Sequence, residues 1–156
     1  MNHALHYLLN TDMCIYLLNG HHRVKARVAQ VGIAALAVAI PTVGEWYFGA
    51  YNSARIEANI MRVRAFLSSP GPQVLLIDEP AAEQFGRFKA ILHRAGRPIG
   101  DIDLFIAGVA VCHGLTVVTN IPNTSHGSLI CPWRIGSSHL RRHPNRFALF
   151  RVGFPW

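Results

Sequence analysis

Residues 7–20 read YLLNTDMCIYLLNG, an apolar run that stops at Asn10 and Asp12 and then resumes. An apolar segment interrupted in this way marks a buried strand that delivers polar side chains to one end of a sheet. The same grammar recurs downstream. Residues 36–40 (LAVAI), 73–77 and 115–118 are short and apolar throughout, and each is bounded by helical spacing or turn residues. Helices are expected over 42–52 and over 57–67, where Ile60, Val63, Phe66 and Leu67 share a side. Two more are expected over 79–94, ended by Gly96, and over 103–113, apolar all round and therefore buried. Strands alternating with helices predict an α/β fold of three layers, α/β/α, around a central parallel sheet.

Bulk composition sets the scale. With 156 residues, 51% of them hydrophobic, the chain can build one compact core and is too short for two. The longest uncharged apolar runs fall short of the roughly 18–20 residues that cross a bilayer, and no Lys or Arg precedes the first apolar stretch. A cytoplasmic location is expected. Cys14, Cys112 and Cys131 lie far apart without a CxxC spacing, so they read as reduced thiols. His21, His22, His139 and His143 have loose metal-ligand spacing but no matching cluster, and exposed histidines are expected there.

The formal charge of +7 is unevenly spread. From Ile121 onward the chain carries Arg134, Arg141, Arg142, Arg146 and Arg151 and no Asp or Glu, whereas residues 1–120 are nearly balanced. A basic excess favours polyanionic partners through phosphate neutralisation and counterion release.

In open α/β sheets ligands bind beyond the carboxyl ends of the strands. Asn10 and Asp12 follow the first strand, Glu45 the second and Asn120 the fourth, while Asp101 and Asp103 open the last helix. Half of the eight acidic residues therefore fall at one edge. Each has a plainer reading as a helix cap: Asn10 and Asp12 as N-caps, Thr42 and Glu45 as an S/T-x-x-E capping box, Asp101 or Asp103 as the cap after Gly100. Clustered carboxylates nevertheless repel one another unless a cation neutralises them, and a hard divalent ion such as Mg²⁺ suits oxygen ligands.

Three segments, YLLNTDMCIYLLNG, AIPTVGEWYFGAYNSAR and RPIGDIDLFIAGVAVCHGLTVVTN, together resemble the signature segments of PIN-domain ribonucleases, in particular VapC-type toxins of bacterial toxin–antitoxin pairs. The resemblance runs from residue 7 to about 120. It implies a Mg²⁺- or Mn²⁺-dependent endoribonuclease that hydrolyses RNA phosphodiesters, forms a homodimer and is neutralised by a cognate antitoxin. It places Glu45 and Asp103 on two acidic positions, with Asp101 as an auxiliary acid and Asn120 or Asn123 at a fourth polar position. The first segment departs from the family pattern L-L-D-T-N: here Asn10 holds the position and Asp12 holds the charge. Beyond His126 the resemblance stops, which divides the chain into a PIN domain over 1–126 and an atypical basic extension over 127–156. Two alternatives remain: a degenerate PIN domain that binds RNA or an antitoxin without cutting, and a phospho-acceptor receiver-like domain. The second expects a late lysine, whereas the only lysines are Lys25 and Lys89.

Overall fold

A computed structural model describes residues 5–68, 70–97 and 99–119. Four strands, β1 (Tyr7–Leu9), β2 (Leu36–Ala39), β3 (Gln73–Leu75) and β4 (Thr116–Val118), form a parallel sheet in the order β3-β2-β1-β4. Six helices surround it: α1 (Thr11–Leu18), α2 (His22–Val31), α3 (Ile40–Tyr51), α4 (Ile56–Leu67), α5 (Glu79–Arg94) and α6 (Asp101–His113). None is long and apolar enough to cross a membrane. Asn120, Asn123 and the basic extension lie outside the described residues.

Alternation along the strands separates two cores, because successive side chains of a strand point to opposite faces. Leu8, Ala37 and Ala39 pack with Leu75 against Ile106, Val109 and Ala110 of α6. Leu9, Leu36 and Val38 pack with Met13, Val43, Trp46 and Val63 of α1, α3 and α4. Both faces are thus covered, which is why β1 and β2 carry almost no polar side chain. Trp46 is buried and meets Phe66 edge to face at a centroid distance of 5.4 Å, so it serves packing.

Helix ends corrected several expectations. α3 begins at Ile40, with Pro41 in its first turn, where a missing N–H costs nothing. Thr42 therefore lies inside the helix and is fully buried; the capping box with Glu45 does not form. α6 begins two residues earlier than expected: Gly100 is its N-cap, so neither Asp101 nor Asp103 caps it, and its Cys112 is exposed rather than buried. The N-cap reading of Asn10 is right, since its side chain accepts from Thr11 N. α5 has the expected bounds, closed by Gly96 at φ +65°, a left-handed conformation that glycine adopts without steric cost.

Candidate active site

The strand order decides where a site can form. The chain steps from β1 to β2 to β3 on one side and returns to β4 on the other, so the crevice at the carboxyl ends lies between β1 and β4. Asn10 leaves β1 there and Thr119 leaves β4. Their strands are paired Leu9 to Val118, and Asn10 N continues the ladder by donating to Val118 O at 3.0 Å.

Three side chains meet at this point. Asn10 Oδ1 accepts from Thr11 N at 2.7 Å, which turns Asn10 Nδ2 toward Thr119 Oγ1 at 3.4 Å. Thr119 Oγ1 in turn donates to the Asp12 carboxylate, at 3.2 Å from Oδ2 and 3.4 Å from Oδ1, while Asp12 Oδ1 accepts from Met13 N at 2.8 Å. Asp12, in the first turn of α1, is thus tied to the residue that follows β4. Thr119 was missed in the sequence because its partners lie more than 100 positions away.

The other acids are carried on neighbouring helices. Asp103 stands exposed in the first turn of α6, its Oδ2 3.7 Å from where a Cβ on Gly100 would lie. Its carboxylate sits at the positive end of the helix dipole. Glu45 is exposed on α3 and lines a cleft of about 250 Å³ between α1, α3 and α4, together with Asn19, Asn59 and Arg62. Arg62 links α4 to the end of α1 by donating to Leu18 O at 2.6 Å. None of Asn19, Asn59 and Arg62 carries a sequence signal at motif spacing. Asp101 pairs with Lys89 of α5, whose Nζ lies 2.7 Å from Oδ2, with both side chains about half exposed. Replacing Lys89 with Met is expected to change unfolding free energy by less than about 1 kcal/mol in a urea titration, because solvent screens an ion pair this exposed.

Cysteine takes no part in the donor set. Burial, followed by the Asp12 charge, pushes the Cys14 thiol well above its ordinary range, so it stays protonated while metals bind the thiolate. What remains is oxygen: the carboxylates of Asp12, Glu45 and Asp103, the Asn10 amide, and the Thr42 hydroxyl, which is buried without a hydrogen-bond partner. In kind, such a set fits a hard divalent cation. In number it is lean: among the described residues no three His, Cys, Asp or Glu side chains form a group that could hold a metal ion.

Comparison with known proteins agrees with this frame. The PIN domain family matches residues 7–120. A Salmonella typhimurium protein named tRNA(fMet)-specific endonuclease VapC is 34% identical over 117 residues, covering 74% of this chain and 86% of that protein. A Shigella flexneri protein of the same name is 32% identical over 116 residues, with the same shares covered. The crystal structure of DNA-bound VapBC from Salmonella typhimurium superposes with a TM-score of 0.69 at 32% identity, over 74% of this chain and 86% of that one. A match spanning most of the sequence, a shared fold and identities above 30% make one conclusion: the chain belongs to the PIN-domain family, among the VapC ribonucleases.

Proposed function

We propose that the protein is a VapC-type endoribonuclease that cleaves RNA by Mg²⁺- or Mn²⁺-assisted hydrolysis and is held in check by a cognate antitoxin. The observation that carries this reading is the placement of Asn10, Asp12, Glu45 and Asp103 on elements that open at the carboxyl edge of a PIN-family sheet. Glu45 and Asp103 would hold the ion, with Asn10 and Asp12 on the β1 side. When bound, such an ion lowers the pKa of a coordinated water and offsets charge on the scissile phosphate. The protein supplies orientation. No side chain caps α6 at Gly100, and amide hydrogens at the start of such a helix suit a phosphate oxygen beside Asp103. Asp101, paired with Lys89, would serve as an auxiliary acid only after that pair opens.

A protein partner is supported by the relatives, which include VapBC toxin–antitoxin complexes. It also suits the apolar side chains left exposed on α3 and α4, Phe48, Tyr51 and Met61, which an antitoxin or a second copy would cover. The test is incubation of purified protein with a structured RNA in Mn²⁺, Mg²⁺ or EDTA. Discrete products that need the metal support the reading; RNA retained on a filter without products, at every metal concentration, rejects it. The second outcome is what a non-cleaving PIN domain gives, and one observation favours that alternative: Asn10 is neutral and its side-chain oxygen is occupied by Thr11 N.

A further inference from the structure

The crevice between β1 and β4 is closed by a hydrogen-bond circuit whose chemistry has one consistent solution. A hydroxyl owns a single proton. Thr119 gives it to Asp12, the charged acceptor, so toward position 10 its oxygen can only accept. Position 10 must then supply a donor on that side and an acceptor for Thr11 N on the other. An amide does both, and a carboxylate cannot. The two residues are therefore matched: an amide at 10 and a carboxylate at 12 share one hydroxyl.

We propose that Asn10, Thr119 and Asp12 form a clasp that ties the ends of β1 and β4 together and assembles this side of the candidate site without a cation. Asn10→Asp would set two carboxylates around one proton. The pair would repel, the clasp would open, and the excess charge would favour a divalent ion. The amide thus exchanges metal affinity for a metal-independent fold at the switch point. The bonds at 3.2–3.4 Å are long, so the clasp acts through the complementarity of its three groups rather than through any single strong bond.

Thermal melting in EDTA and in Mn²⁺, with Mn²⁺ affinity measured by calorimetry, tests the clasp on the full-length protein. The unaltered protein is expected to melt at nearly the same temperature in both. Asn10→Asp is expected to melt roughly 3–8 °C lower in EDTA and to regain most of that in Mn²⁺. Its Mn²⁺ affinity should rise roughly tenfold or more, as one added attractive charge implies. The double variant Asn10→Asp/Asp12→Asn restores one donor and one acceptor, so in EDTA it should melt near the unaltered protein. Thr119→Val should fall and Thr119→Ser should not. Asn10→Asp melting like the unaltered protein in EDTA, the double variant melting as low as the single one, or Thr119→Val matching Thr119→Ser would each overturn the clasp. Failure of Asn10→Asp to fold without metal counts for it only where the double variant folds. RNA cleavage is not among these readouts, so a protein that never cuts RNA refutes the proposed activity and leaves the clasp standing.

Discussion

Asp103→Ala is expected to lower metal-dependent RNA cleavage by at least about 100-fold, the size of losing one preorganised charge at a phosphoryl centre. The argument is one of place. Asp103 is exposed in the first turn of α6, at the crevice edge, and makes no side-chain hydrogen bond or ion pair among the described residues. A carboxylate with no structural partner costs little fold when it is removed. Its loss should therefore leave the melting temperature within about 2 °C, since no buried group is uncovered. Filter binding of RNA is expected to persist, because phosphate contacts by basic side chains dominate non-specific affinity. Parallel measurement of cleavage, melting and retention separates the possibilities. Cleavage undiminished in Asp103→Ala would remove this residue from the chemistry, and cleavage lost together with the fold would make its role structural.

Glu45 differs in setting, and the contrast sharpens the comparison. It lines the cleft between α1, α3 and α4, one position before the buried Trp46. Glu45→Gln keeps its volume and packing and removes only the charge. If the two acids hold one ion, both variants should raise the metal concentration needed for half-maximal cleavage.

The strands and their parallel arrangement were legible in the sequence because buried parallel strands are short apolar runs, and LAVA, residues 36–39, is buried throughout. Helix starts were less so. The T-V-G-E tetrad satisfies a capping pattern on paper, yet Pro41 just before it is content in a first helical turn, and that moves the start back to Ile40. At α6, two aspartates after Gly100 invite a cap, but the glycine takes that position itself. In the site, the residues following the strands could be named because the topology forces strand ends to one edge. What they bind to could not: Asp12 meets Thr119 across 107 positions, and Lys89 claims Asp101 from a neighbouring helix. Contacts of that kind depend on which strand lies beside β1, and local spacing carries no record of it.

The same substitution should have opposite signs on two helices that face each other. Gly86 lies exposed in α5, and a Cβ there meets nothing within 4 Å. Gly86→Ala should therefore stabilise by about 0.5–1 kcal/mol, the ordinary difference in helix propensity. Gly108 lies buried in α6, and a Cβ there would stand 2.6 Å from Ala81 O and 3.4 Å from Phe85 N, both backbone atoms of α5. Backbone cannot rotate aside, so the helices must separate. Overpacking of this kind costs about 1–3 kcal/mol, which outweighs the propensity gain, and Gly108→Val should cost more because β-branching adds a second clash. Urea titration of the variants measures both signs. The consequence reaches the chemistry, because α6 carries Asp103 five residues before Gly108. A helix pushed away from α5 shifts the carboxylate relative to β1, so Gly108→Ala should lose cleavage by more than its folded fraction accounts for. Equal stability of the two alanine variants would show that α5 and α6 cross more loosely than their backbones indicate, and Asp103 would then owe its position to some other contact.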